Sequence, residues 1–357
     1  MGAGPRPVTR PRNFSPWAYW SLHLASIVER DPAPVREADA RLAVIDAWRA
    51  RVRVRLDELL GPEPAKVEPR VEYGEATECG DHVRHRVVFD SEAAMSVPAY
   101  LLVPHRRAVA GSGILAVHGH GPGKDLVCGL VGDGAEHYAL QLVRAGHVVL
   151  APDLRCFGER QDPQWDPTGH KYDCDWNLVA ATMAGVLPVR QNLWDLQRGL
   201  DVLAAHPLVD PSRLGAAGFS YGATMTLLLA ACDERVRAAV ASGYVSSWRA
   251  AHAVPWNMCG SQIMFGQLGA IEHVDLVSLI APRPLLVETG SDDPLFPLAA
   301  ARVTVEQAER VWRAYGAAAD ALEHDVFDGD HRWNGAGVEA FLALHLGPGA
   351  SSGASRS

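Results

Sequence analysis

Cysteine is scarce in this sequence. The six residues, Cys79, Cys128, Cys156, Cys174, Cys232 and Cys259, are scattered and contain no C-x-x-C pair. That scatter excludes a small disulfide-stapled domain and does not match zinc-ligand spacing. It suits free thiols, so a reducing, cytoplasmic setting is expected. Long apolar runs are absent too, since no stretch approaches the roughly 18 residues of a spanning helix. The N-terminus, MGAGPRPVTRPRNFSPW, carries arginines with no apolar segment behind them, unlike a secretory leader. Positive charge is in deficit, 33 Lys and Arg against 42 Asp and Glu, for a net charge of −9. An acidic chain argues against nucleic acid or an anionic lipid surface as partner. With 48% hydrophobic and 21% charged residues the composition is globular, and 357 residues suffice to bury a large core.

Residues 1–14, rich in Pro, Gly and Arg, and residues 347–357, GPGASSGASRS, read as disordered tails. Between 15 and 64 apolar residues recur at three- and four-residue steps. Trp17, Trp20, Leu24, Ile27 and Val28 predict one helix, and Leu42, Ile45, Trp48, Val52, Leu56 and Leu59 a second. Pro32 and Pro34 separate them and Gly61-Pro62-Glu63-Pro64 ends the second. This N-terminal helical extension is expected to pack its apolar stripes on the main body. Residues 65–346 form the main domain. It opens with short strand-like runs, Val71 to Tyr73, Val83 to Phe89 and Val97 to Val103. Strands and helices then alternate, which predicts a mostly parallel sheet covered on both faces. Insertions at about 156–191 and 245–279 follow strands at the carboxyl edge, where open α/β sheets bind ligands.

The sharpest motif is Gly218-Phe219-Ser220-Tyr221-Gly222, a G-x-S-x-G between an apolar strand and an apolar helix. That context marks a nucleophile elbow, which holds Ser220 above the sheet and puts the Tyr221 N–H at a helix N-terminus. A serine hydroxyl needs a base, and the base an orienting carboxylate. Downstream, Asp292 and Asp293 follow the strand Leu285 to Gly290, and His331 follows the last strand in Gly329-Asp330-His331. Asp293 is preferred because the D-P-L-F-P run can fix its loop. The loop His118-Gly119-His120-Gly121-Pro122-Gly123-Lys124 allows close backbone approach, and the His120 N–H is assigned as second oxyanion donor. Lys124 does not complete a phosphate-binding loop.

With these residues in view, the chain resembles the α/β-hydrolase superfamily, in particular the bacterial branch of dienelactone hydrolase-like and acetyl xylan esterase-like proteins. The resemblance rests on HGHGPGK at 118–124, PDLRCFGER at 152–160, GFSYG at 218–222, LIAPRPLLVETGSDDPLFP at 279–297 and GDHRW at 329–333. It implies an α/β-hydrolase fold, a Ser220–Asp293–His331 triad, backbone oxyanion contacts from His120 and Tyr221, and no cofactor. One departure is Cys156, where related sugar deacetylases tend to have glycine.

The expected function is a serine esterase that cleaves a small acyl ester, such as an acetylated sugar or secondary metabolite, through an acyl-enzyme. Amide, peptide or carbon–carbon hydrolysis, acyl transfer and a non-catalytic ligand-binding scaffold are the alternatives. Trp165, Trp176, Met183, Trp256, Met258 and Met264 are candidate walls of an apolar pocket. Glu159 and Arg160 are read as a structural ion pair or loop anchor. The cluster His170, Asp173, Cys174 and Asp175 fits no metal-ligand spacing, so no metal is expected. The partner is a small-molecule ester, and the helical extension either shields the pocket or builds a homodimer interface.

Overall fold

The computed structural model describes residues 15–28, 33–36, 41–106, 111–162, 173–252 and 257–347. The expected N-terminal tail and all but the first residue of the C-terminal one lie outside these. Helices α1 (Pro16–Ser26) and α2 (Leu42–Leu60) come first. Strands β1 (Glu72–Glu78), β2 (His82–Glu92), β3 (Met95–Pro104) and β4 (Gly111–Val117) follow, then the short helix α3 (Lys124–Val127), α4 (Tyr138–Arg144) and β5 (Val148–Pro152). Next are α5 (Asp173–Ala184), α6 (Pro188–Ala205), β6 (Val209–Phe219), α7 (Tyr221–Cys232) and β7 (Val236–Ser242). The chain ends with α8 (His273–Ile280), β8 (Leu285–Gly290), α9 (Leu298–Ala314), β9 (Leu322–Phe327) and α10 (Val338–Leu346).

The strands form one sheet in the order β1-β2-β3-β5-β4-β6-β7-β8-β9. Pairing is antiparallel from β1 through β3 to β5 and parallel from β5 to β9. Sequence texture explains the division. Strands β4, β5 and β8 are buried at every position and, apart from Ser112, Glu288 and Thr289, carry small and branched apolar residues, as parallel strands covered on both faces do. Strand β1, EYGEATE, is exposed throughout and forms the outer edge, where its glutamates discourage further pairing. Two apolar cores mark the two faces. One joins Ile114, Val149, Ala217 and Val240 to α4 and α10, and the other joins Leu115, Leu150, Ala216 and Ala239 to α2, α6, α7, α8 and α9.

The helical extension divides. In α2, Ile45, Trp48, Val52, Leu56 and Leu60 are buried in the second core, at the three- and four-residue spacing the sequence shows. Its arginines reach the carboxyl ends of neighbouring helices. Arg49 donates to the carbonyls of Leu279 and Ala281 at 3.1 and 2.5 Å, and Arg53 to that of Ala231 at 3.0 Å. Those carbonyls lack intrahelical donors, and the positive charge suits the negative end of the helix dipole. Helix α1 departs from expectation, because Trp20 of its apolar stripe is exposed and Val28, also exposed, lies beyond its end. Its C-terminal end lies against the second insertion, where Arg249 donates to the carbonyls of Ala25 and Ile27. No helix among the described residues is long and apolar enough to cross a membrane.

Candidate active site

Strand β6 ends at Phe219 and α7 begins at Tyr221, leaving Ser220 as the single residue of the turn. Its φ is 55° and its ψ −120°, a left-handed conformation that a non-glycine residue adopts only when its surroundings enforce it. The enforcement is visible on both sides. A Cβ on Gly218 would meet the Gly222 carbonyl carbon at 2.4 Å, and a Cβ on Gly222 would meet the Val117 carbonyl oxygen at 1.8 Å. The turn therefore closes only with glycine at both positions. It lifts Ser220 Oγ to the carboxyl edge of the sheet.

Two loops complete the arrangement. His331, after β9, has its Nε2 2.9 Å from Ser220 Oγ and its Nδ1 2.8 Å from Asp293 Oδ2. Asp293, after β8, is held in turn, because its Oδ1 accepts from the N–H groups of Leu295 and Phe296 at 2.8 and 3.0 Å. The D-P-L-F-P run thus wraps its own carboxylate. Asp292 is exposed and turned elsewhere, with its N–H donating to the Gly329 carbonyl at 2.9 Å. The imidazole is seated against the rings of Phe219 and Phe296, at centroid distances of 4.7 and 5.5 Å. His324 and His345 lie in β9 and α10 and bond to Thr289 Oγ1 and the Asp320 carbonyl instead.

The loop after β4 packs beside the elbow. His120 is exposed and its ring lies 5.1 Å from that of Tyr221 and 5.5 Å from that of Phe157. Tyr221 is fixed from below, its hydroxyl accepting from Asn192 Nδ2 at 3.0 Å. As the first residue of α7, its backbone N–H has no intrahelical acceptor. His118 is fully buried. Its Nδ1 lies 2.7 Å from the Gly119 carbonyl and its Nε2 accepts from the Leu154 N–H at 2.9 Å. Burial holds this imidazole below its ordinary pKa, which favours the neutral form that can donate at one nitrogen and accept at the other.

Lys124, at the end of that loop, is 1% exposed and neutralised by Asp153 and Glu159, each 2.7 Å from Nζ. Asp153 also accepts from the backbone N–H groups of Lys124 and Glu159 at 2.7 and 3.0 Å. The PDLRCFGER block is therefore an anchor. Arg155 forks onto Asp195 of α6 with two bonds of 2.9 Å, and Arg160 joins the same carboxylate at 2.8 Å. Cys156 has φ +73°, the backbone region that favours glycine.

The proposed pocket walls scatter. Trp165 and Trp256, with His170 of the acidic cluster, lie outside the described residues. Trp176 is exposed, Met183 is 86% exposed on α5, Met258 is half-buried and Met264 is enclosed in the main core. A residue that the sequence reading missed is Glu136, before α4. It is half-buried, and burial raises its carboxyl while the field of His331 opposes that rise. Two further residues missed as a pair are Cys174 and Cys259, which meet His120. The Cys259 thiol, as hydrogen-bond donor, holds the Cys174 thiol below its ordinary value, and His120 adds to this.

Comparison with known proteins agrees with this architecture. A model of the prolyl oligopeptidase family matches residues 175–325. "Putative hydrolase YtaP" of Bacillus subtilis is 25% identical over 280 residues, covering 76% of this chain and 90% of that protein. Among solved structures, a "putative acetyl xylan esterase" from Bacteroides fragilis superposes with a TM-score of 0.74 at 17% identity, covering 88% of this chain and 83% of that one. A glucuronoyl esterase from Solibacter usitatus superposes with a TM-score of 0.64 at 14% identity, covering 89% and 97%. The chain has the α/β-hydrolase fold, as the resemblance carried by the five sequence blocks implied.

Proposed function

We propose that the protein is a serine hydrolase of carboxylic esters. The observation that carries this reading is the continuous hydrogen-bonded path from Ser220 Oγ through the His331 ring to Asp293, at 2.9 and 2.8 Å. In the neutral ring, Nδ1–H donates to Asp293 and Nε2 accepts the Ser220 proton as Oγ attacks the ester carbonyl. Asp293 stabilises the imidazolium so formed. The tetrahedral oxyanion is met by the N–H groups of Tyr221 and His120, each worth on the order of 3 kcal/mol of barrier. His331 then protonates the departing alcohol, and water attacks the acyl-Ser220 by the same route. The chemistry runs on side chains and backbone of this chain and calls for no cofactor.

A small acyl ester, acetyl in the first instance, on a sugar or secondary metabolite is the substrate class. The likeness in fold to an acetyl xylan esterase and a glucuronoyl esterase over most of the chain supports ester chemistry. The partial match to the prolyl oligopeptidase family gives the second reading, amide or peptide cleavage by the same three residues. Steady-state hydrolysis of nitrophenyl acetate, nitrophenyl butyrate and an acyl-prolyl nitroanilide, with wild type and Ser220→Ala, separates the two. Turnover of the acetate lost in Ser220→Ala is the expected result. Turnover of the anilide alone would favour the second reading, and equal rates for wild type and variant would remove both.

A further inference from the structure

Two thiols and an imidazole converge beside the loop that follows β4, and the serine mechanism uses none of the three side chains. Cys174 belongs to the first turn of α5, in the first insertion. Cys259 belongs to the second insertion. One sulfur from each and a ring nitrogen of His120 all lie within 4.8 Å of one another. The thiols are 3% and 8% exposed, and His120 is exposed. The meeting is built into the backbone. The Gly260 N–H donates to Asp175 Oδ1 at 2.8 Å, and a Cβ on Gly260 would meet the Cys174 carbonyl oxygen at 2.8 Å and Leu178 Cβ at 2.6 Å. The two insertions thus touch main chain to main chain, which requires glycine next to Cys259.

Two thiolates and an imidazole are the donor set of a tetrahedral zinc centre with an open position. Zn–S lengths of about 2.3 Å and Zn–N of about 2.0 Å imply ligand atoms roughly 3.5 Å apart. A spread within 4.8 Å contracts to that by small rotamer shifts. Magnesium and calcium prefer oxygen donors and are disfavoured by two sulfurs. A disulfide between the thiols would need an oxidant and would leave the imidazole without a role. We propose that Cys174, Cys259 and His120 form a three-ligand site for Zn(II), with the fourth position open to water. The ion would tie the His120 loop to both insertions and so brace the rim of the serine site.

The test uses the full chain, reduced with a phosphine and stripped with a chelator, then titrated with Zn(II) against a chromophoric competitor and, separately, with Co(II). The expected result is a single high-affinity ion and a sulfur-to-cobalt charge-transfer band. Cys174→Ser/Cys259→Ser should abolish both. His120→Ala should weaken Zn(II) by at least about tenfold, since even the loss of an outer-shell partner costs about 10–100-fold. Wild-type binding no tighter than that of the double variant overturns the proposal. So does a native Cys174–Cys259 disulfide, found by mass spectrometry, whose reduction gives no metal uptake. If the double variant does not fold, His120→Ala decides, because its position is exposed, and an unchanged cobalt spectrum and affinity would overturn the site.

Discussion

The carbonyl oxygen of Val117 lies 1.8 Å from where a Cβ on Gly222 would stand, so the strand before the His120 loop and the helix after Ser220 meet with no room for a side chain. The contact is between main chains, so a rotamer change cannot relieve it. Gly222→Ala must separate the end of β4 from α7, and so the His120 loop that follows β4 from Tyr221, the two proposed oxyanion donors. The expected outcome is loss of soluble protein or a fall in Tm of many degrees. Ala223→Gly, one position on, is the control and should cost only about 2 kcal/mol, the helix penalty plus the loss of one buried methyl. A Gly222→Ala variant as stable and active as wild type would mean that the elbow is looser than described.

Asp293 and Asp292 are adjacent in sequence and opposite in placement, which gives a clean comparison. Asp293→Asn keeps the shape but removes the charge that stabilises the His331 imidazolium and can present the wrong ring tautomer. A fall in kcat on the order of 10⁴-fold is expected. Asp292→Asn touches neither the ring nor the nucleophile and should stay within a few-fold of wild type. Steady-state kinetics on the best ester of the panel checks both. Similar losses for the two would place the orienting carboxylate wrongly.

The three side chains that meet at the carboxyl edge, Ser220, His331 and Asp293, could be picked out in the sequence because each follows a strand within a local motif. Gly-x-Ser-x-Gly follows β6, Asp293 sits in its proline-fixed loop after β8, and His331 follows β9. The parallel core was legible for a similar reason, since strands buried on both faces read as mostly apolar runs, Glu288 in β8 being an exception. Burial of Ile45, Trp48, Val52 and Leu56 in α2 followed from their period, whereas Leu42 of the same stripe is exposed and Leu59 half-buried. The exposure of Trp20 and Val28 did not follow, because a helical period marks an apolar face without saying what covers it. Cys156 looked like a simple departure from glycine. Its φ of +73° puts it in the left-handed backbone region that favours glycine. Convergence of Cys174, Cys259 and His120 depends on how two insertions fold over the sheet edge, and no local pattern carries that.

Lys124 is the buried cation of the loop, and its removal should be felt in stability before chemistry. Burial alone would lower its pKa, but Asp153 and then Glu159 outweigh that and raise it. Asp153 is fully buried and has few alternatives if its partner goes. Lys124→Met leaves that carboxylate uncompensated and should cost about 3–5 kcal/mol. The double change Lys124→Met/Asp153→Leu should recover part of the loss, because it removes both charges. Urea unfolding midpoints measure this, and additive losses in the double variant would argue against direct coupling.

Glu288, the carboxylate near the end of β8, makes stability depend on pH in a direction opposite to that of an ion-paired acid. It is fully buried, and its Oε1 accepts from the Gly335 N–H at 2.8 Å. Burial pushes its carboxyl up from 4.5 to about 7, against the nearby Ser242 hydroxyl and the Gly335 N–H, which lower it. Between those values the folded protein keeps a proton that the unfolded chain has released. Stability therefore falls as pH rises from about 4.5 to about 7, and is level with respect to this group outside that window. The full span is on the order of 3 kcal/mol at most. Glu288→Gln carries no titrating proton, so its stability relative to wild type should climb across the same window and then stop. Unfolding midpoints of both proteins through that range test this. A constant difference at every pH would mean that Glu288 titrates as an ordinary carboxylate.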